Sequence, residues 1–205
     1  MVRPMSTASR STAPPPTPAQ PRTDRRAHLI DTALRLFARG GYHATGIDAV
    51  LALSGVAKKT LYHHFPSKDA LIAEVLRERD RRFRASLAAF VATRSTPRER
   101  LAAVFEWHER WFAEADFAGC MFLNAAAEFH DGAAEILGIA REHKQALEVW
   151  LATLLADLVD ADRAATLAAD FNLLLDGAIG CALVSRDPAA AQRAWALAER
   201  LLPTL

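Results

Sequence analysis

Thr45–Lys68, T-G-I-D-A-V-L-A-L-S-G-V-A-K-K-T-L-Y-H-H-F-P-S-K, carries two short helical patterns separated by a break. In the first, Ile47, Val50, Leu51 and Leu53 recur at helical rather than strand spacing, and Thr45-x-x-Asp48 has the spacing of a capping box. Ser54-Gly55 interrupts it. Gly55 can take the positive φ that a tight inter-helix turn demands, and Val56 is placed as an apolar plug beneath that turn. The second pattern starts near Lys58: Leu61 and Phe65, four residues apart, anchor it inward and leave Lys58, Lys59, Thr60, Tyr62, His63 and His64 outward. Pro66 stops it, and Ser67 caps the next helix, whose first-turn Lys68 points back toward the same surface. The stretch reads as a helix-turn-helix, and lysines and hydroxyls on its second helix suit phosphates and base edges. A basic helix alone would read as a solvated surface; the turn and the paired helices favour nucleic acid.

Charge is distributed accordingly. The whole chain of 205 residues is formally only +1, but residues 1–70 hold ten Lys/Arg against four Asp/Glu and the remainder fifteen against twenty, so +6 sits around the motif and −5 elsewhere. At 51% hydrophobic residues the chain can build a substantial core. Ala and Leu are abundant and Gly and Pro scarce outside the N-terminus, which with the periodicity argues for an all-α protein. Two cysteines, Cys120 and Cys181, make neither a disulfide framework nor a metal finger, and a reducing cytoplasm fits them. No run of about 18 uninterrupted apolar residues suggests a membrane span.

The run Gly41-Tyr42 through Thr45, then Val50-Leu51, Ser54-Gly55-Val56, Thr60-Leu61-Tyr62, His64-Phe65 and Ser67-Lys68-Asp69-Ala70-Leu71, resembles the DNA-binding signature of the tetracycline-repressor (TetR) family of regulators. Ala57 departs from it, standing where the family usually has a Ser that caps the recognition helix. The resemblance implies an N-terminal three-helix helix-turn-helix domain and a C-terminal helical domain for ligand binding and dimerisation. It also implies that Lys58, Lys59 and Thr60 reach bases or adjacent phosphates, that Thr45, Tyr62, His64 and Lys68 hold phosphates, and that a homodimer addresses a near-palindromic double-stranded operator.

Around the motif, residues 1–22, with A-P-P-P-T-P-A-Q-P, cannot bury enough apolar surface to fold alone and read as a disordered basic tail, either solubilising or an arm for DNA. Ile30, Ala33, Leu34 and Phe37 give an amphipathic helix over Thr23–Arg39, so residues 23–72 form the DNA-binding domain and 73–205 the remainder. The helix from Ser67 runs to about residue 92 and bridges the two; its charged middle, Arg77–Arg84, reads as a solvated face with pairs such as Glu78 with Arg82. Thr96-Pro97-Arg98-Glu99 is a helix start with a capping-box spacing. Further helices are expected over Ala133–Val159, Asp162–Ser185 and Asp187–Leu202.

For a small-molecule effector the candidate pocket residues are Trp107, His108, Trp111, Cys120, Phe122, Asn124, Phe129, His143, Trp150 and Phe171. Phe117–Asp131, mixing bulky apolar with polar groups, could line such a pocket or be a packed junction between helices. His108 and His143 fall on apolar helix faces, where a hydrogen-bonded core histidine is the usual outcome. A metal site from His108, His130, Asp131 and His143 lacks ligand spacing, Cys120 lacks an adjacent cation or resolving cysteine, and no cofactor is implied. The competing function class is an all-helical carrier or enzyme using the His108/Cys120/His143 region, but no nucleophile-base-orienter pattern supports it. The last two helices are rich in Gly and Ala that permit close approach, and the resemblance implies that they pair with their copies in the dimer.

Overall fold

The computed structural model describes residues 22–130 and 132–203. Helical spacing in the sequence becomes nine α-helices among these residues, with no strand: α1 (Arg22–Gly40), α2 (Ile47–Ser54), α3 (Lys58–His64), α4 (Lys68–Val91), α5 (Pro97–Phe112), α6 (Met121–Glu128), α7 (Ala134–Leu155), α8 (Ala161–Ser185) and α9 (Ala190–Ala198), the last running into a 3₁₀ turn at Glu199–Leu201. The expected N-terminal tail, apart from Arg22, and Asp131 lie outside the described residues.

Several boundaries follow local chemistry directly. Gly55 ends α2 at φ 65° and its N–H donates to the Leu51 carbonyl at 2.9 Å. Ser67 accepts from the Ala70 N–H and starts α4, while Thr96 and Glu99 form the full reciprocal capping box of α5 with Pro97 in its first turn. At α2 the expected box does not form. Gly46 is the N-cap, so Asp48 sits one position too early to reach back, and Thr45 is buried with its hydroxyl donating weakly to the Leu36 carbonyl at 3.5 Å. Helix α6 occupies the interval that resisted assignment from sequence. α7 stops short of Val159 because the Leu158 and Val159 N–H groups turn back to the Leu155 carbonyl. The last helix starts later than expected: Arg186 is left-handed, and Asp187 accepts from the Ala189 N–H in a turn that precedes α9.

α4 organises the rest. Its first half buries Leu71, Ile72, Val75 and Leu76, packing against α1, whose inward face is Leu29, Ala33 and Phe37; its second half packs on α5 and α7. The Arg77–Arg84 run is therefore more than a solvated face. Glu78 does accept from Arg82, but Arg82 also pairs with Asp31 of α1 at 2.5 Å and Arg77 with Glu135 of α7 at 2.8 Å, while Arg26 of α1 pairs with Glu74. Asp80 turns inward to take Arg84 and His143.

α7, α8 and α9 complete the C-terminal layer. α8 is long and apolar enough, by length and composition, to cross a membrane. The same composition suits a helix with two apolar faces: Leu167, Phe171, Leu175 and Ile179 are buried, and on the other side Leu173 (72% exposed) and Val184 (83% exposed) form a stripe with the exposed Gly177, Gly180 and Cys181.

Candidate nucleic-acid interface and ligand cavity

The outer face of α3 assembles as its spacing predicts. Leu61 and Phe65 are buried and hold the helix against the bundle, while Lys58, Lys59, Tyr62 and His63 are exposed and Thr60 and His64 half-buried. Ala57 supplies no side-chain cap; the first turn is closed by the Thr60 and Leu61 N–H groups donating to its carbonyl at 2.9 and 3.2 Å. Lys59, Thr60, His63 and His64 share a surface concavity with Arg25 of α1, so α1 adds a cation to this face. Lys58 lies 3.7 Å from Asp48, both well exposed, a pairing of small energetic consequence. Lys68 donates to the His43 carbonyl at 3.2 Å. Thr45 alone among the expected phosphate contacts is turned away, since its hydroxyl faces Leu36.

Behind this face, α6 grips the α1–α2 loop. The Glu128 carboxylate accepts from the Tyr42 N–H at 2.8 and 3.0 Å and from the His43 N–H at 2.7 Å, and the His43 ring lies 2.8 Å from the Glu128 carbonyl. The Tyr42 hydroxyl donates to the Met121 carbonyl at 2.8 Å, at the opposite end of α6. Burial pushes the Tyr42 pKa well above its ordinary value, with Cys120 and Glu128 acting in the same direction. Gly41, at φ 76°, is required here twice over: the backbone is left-handed, and a Cβ would stand 2.8 Å from Glu128 Oε1.

Of the ten residues expected to line a pocket, His108, Trp111, Cys120, Phe122 and His143 meet around one cavity. The other five do not. Trp107 packs on Phe83 and donates to Ser86; Asn124 donates to the Ala118 carbonyl at 3.4 Å; Phe129 packs on Tyr42 and His43; Trp150 faces a separate groove on α4; Phe171 packs on Phe105. The cavity also takes Met121, from the Phe117–Asp131 stretch, together with Arg79, Phe83, Lys144, Leu147, Asn172, Leu175, Asp176 and Ile179, which were not among the candidate pocket residues. Asn172 and Asp176, four apart on an otherwise apolar stretch of α8, were the available signal: Asn172 donates to Glu148 at 2.9 Å, and Asp176 pairs with Lys144.

Both cavity histidines are neutral near pH 7. Burial holds each at a pKa of about 4, although the Val104 carbonyl opposes the shift at His108 and Asp80 opposes it at His143. In His108 the Nδ1–H donates to the Val104 carbonyl at 2.8 Å, leaving Nε2 as the acceptor. In His143 the Nδ1–H donates to Asp80 at 2.7 Å, a hydrogen bond to a carboxylate rather than an ion pair, and the ring stacks on Phe122 at 3.6 Å. The free space enclosed is about 10 Å³, room for roughly one water. The cavity is thus filled by its own rings and ion pairs. Among the described residues no group of three or more His, Cys, Asp or Glu side chains comes together as a metal site.

A larger opening lies beside it. A groove of about 310 Å³ runs between α1 and α2 on one side and α4, α5 and the segment before α6 on the other, and shares Arg79, Trp111 and Met121 with the cavity.

A family model described as "Bacterial regulatory proteins, tetR family" matches residues 29–75. A TetR-family transcriptional regulator of solved structure, SCO4454 from Streptomyces coelicolor, is similar over 87% of this chain and 94% of its own, at 31% identity and a TM-score of 0.80. The HTH-type transcriptional activator FasR of Mycolicibacterium smegmatis is 36% identical over 86 residues, 42% of this chain and 39% of that protein. The HTH-type transcriptional repressor KstR2 of Rhodococcus jostii is 38% identical over 66 residues, 32% of each chain. The chain therefore spans well under half the length of these two curated relatives.

Proposed function

The chain belongs to the TetR family of bacterial regulatory proteins, whose members are DNA-binding transcriptional regulators and not enzymes, and from that premise we propose that it is a homodimeric operator-binding regulator, a repressor released from DNA by a small-molecule effector. The observation that carries this reading is the outward row of Lys58, Lys59, Thr60, Tyr62 and His63 on a helix pinned from behind by buried Leu61 and Phe65. Such a helix can enter a major groove as a rigid body and present side chains to base edges. Lys58, Lys59 and Thr60 are assigned to bases or adjacent phosphates, and Tyr62, His63, His64 and Lys68 to the phosphate backbone, with Arg25 added from α1. Thr45 serves through its place at the head of α2 rather than through its hydroxyl.

The dimer is assigned to α8 and α9. Leu173, Val184 and Leu197 expose apolar surface there, and the small residues of α8 between them allow a second copy to approach closely. Two copies of α3 would then address the two halves of a near-palindromic site in the cytoplasm.

Release is assigned to α4 and α6, because both reach from the cavity to the DNA-binding unit, residues 23–72. α4 carries Arg79 and Phe83 of the cavity and Lys68 beside the loop; α6 opens on Met121 and Phe122 and ends on Glu128. The cavity as it stands is filled by its own side chains, so an effector that enters it must displace them. It can shift the dimer only by its differential affinity for the open and closed forms. The catalytic alternative fails on family, and the His143 imidazole, its Nδ1–H given to Asp80 and its pKa held at about 4, is a weak base.

The test is a gel-shift titration of the full chain on the DNA upstream of its own coding region, at two salt concentrations. A retarded band that weakens with salt and outcompetes scrambled DNA supports the reading; no band at low salt overturns it.

A further inference from the structure

Arg79 is the one cavity residue whose charge is not accounted for by an ion pair. Lys144 has Asp176, Arg84 has Asp80, and Arg77, Arg81 and Arg82 on the same helix each have a carboxylate. Arg79 has no hydrogen bond or ion pair among the described residues. Its guanidinium instead lies over the rings of Phe83 at 5.7 Å and Trp111 at 5.4 Å, in the wall shared by the closed cavity and the open groove. Burial pulls its pKa down while the nearby Glu114 and Asp116 oppose the shift without bonding to it; the arginine remains charged, and its donors face the groove with no direct protein acceptor among the described residues. Its donors are open to the groove rather than sealed, since Thr32 Oγ1 is the one buried unpartnered side-chain polar atom among the described residues, and an acceptor entering the groove can pair with them.

The groove is built to supply that partner. Its volume, about 310 Å³, is at the lower end of small-molecule sites. Leu34, Leu36 and Leu53 line it from α1 and α2, Trp111 and Met121 from α5 and α6, and half-buried Arg79 from α4. Every other charged group lining it is at the rim: Arg35 and Arg39 on α1, Glu114 and Asp116 across from them.

We infer that this interdomain groove binds a small monocarboxylate with a flat apolar body, its carboxylate taken bidentately by Arg79 and its body held between these leucines and Trp111. A planar carboxylate matches the guanidinium fork; with Arg35 and Arg39 balancing Glu114 and Asp116, Arg79 is left as one net positive charge, which a single carboxylate neutralises and a doubly charged phosphate exceeds. The ligand would touch α1 and α2 directly, so it acts on the DNA-binding unit without opening the closed cavity. The site itself rests only on the groove and Arg79; its role as an effector site rests on the regulatory reading above, and the test separates the two because it needs no DNA.

Calorimetric titration of the full chain with 2-naphthoate and with its neutral counterpart naphthalene-2-carboxamide reads the charge requirement. The acid is expected to bind at least about tenfold tighter than the amide, and Arg79→Gln to abolish that preference while Arg79→Lys retains part of it. Glu114→Gln with Asp116→Asn should tighten the acid by about threefold, since both remove a repelling rim charge. Leu53→Trp, which fills the groove from an exposed position outside the cavity, should abolish binding. Equal affinity for acid and amide, an unchanged preference in Arg79→Gln, full binding to Leu53→Trp, or no binding of the acid at millimolar concentration each overturns the site. Binding as expected without any effect on DNA affinity would leave the site standing and refute its part in release.

Discussion

Replacing Glu128 with Ala removes the contact through which α6 holds the DNA-binding unit. Its carboxylate accepts two backbone N–H groups, Tyr42 at 2.8 Å and His43 at 2.7 Å. Tyr42 is buried, so its N–H is left without a partner; His43 is exposed and its N–H can take water instead. A buried donor orphaned from a charged acceptor costs about 2–3 kcal/mol and the exposed one about 0.5–1, so Glu128→Ala should destabilise the fold by about 2.5–4 kcal/mol. The Tyr42 hydroxyl bond to Met121 and the bond between the His43 ring and the Glu128 carbonyl persist, which limits the loss. A second effect falls on DNA. With the α1–α2 loop loosened, ordering one or two residues is deferred to the binding step, at about 1–2 kcal/mol, so operator affinity should fall by roughly five- to thirtyfold. Urea denaturation at fixed protein concentration gives the first number and fluorescence anisotropy on operator DNA the second. Glu128→Gln, which keeps one acceptor, should recover part of both. A stability change under about 0.5 kcal/mol together with unchanged affinity would refute the junction as the link between cavity and interface.

Acid should destabilise the fold beginning well above the carboxylate range. His108 and His143 are held at about 4 in the folded state, against an unfolded value near 6.5, so their stabilising contribution is complete above pH 6.5. It is lost as pH falls toward 4, at up to about 1.4 kcal/mol per pH unit for each. Stability measured from pH 7 to 4.5 should fall more steeply for wild type than for a His143→Gln variant; equal slopes would contradict the burial of that ring. Asp48→Asn removes the neighbour of Lys58 and should strengthen DNA binding about two- to fivefold at low salt, read by anisotropy. Weaker binding would mean that Asp48 orders Lys58 instead of competing for it. Val184→Arg places a charge in the exposed stripe of α8 and should give monomer at micromolar concentration in sedimentation, where wild type is expected to be dimeric; an unchanged dimer would move the interface elsewhere.

What the sequence made legible were features set by residues close in the chain. Gly55 turning at positive φ, the Thr96–Glu99 box and the Ser67 cap each depend on one turn of backbone, and each forms as spacing requires. The inward pair Leu61 and Phe65 fixed which side of α3 faces out. Features that depend on distant partners were not legible. Thr45 has the spacing of a cap, but packing of the loop against α1 gives its hydroxyl to Leu36 instead. Asp80 and Arg79 sat within a charge run of surface character, and only the docking of α5 and α7 onto α4 brings them beside rings. The cavity was half recovered for the same reason: periodicity places His108 and His143 inward, but cannot say that Trp107 and Trp150, adjacent in composition, face other neighbours.

Two copies of α3 are proposed to read one DNA site together. Chemical footprinting of the dimer on its operator tests it most directly. Two protected major-groove half-sites are expected, related by two-fold symmetry, with centres one helical turn or a whole multiple of turns apart, about 10 base pairs per turn. Protection of both halves should be lost together in Lys58→Ala with Lys59→Ala. A single asymmetric footprint, or protection unchanged by those substitutions, would contradict it.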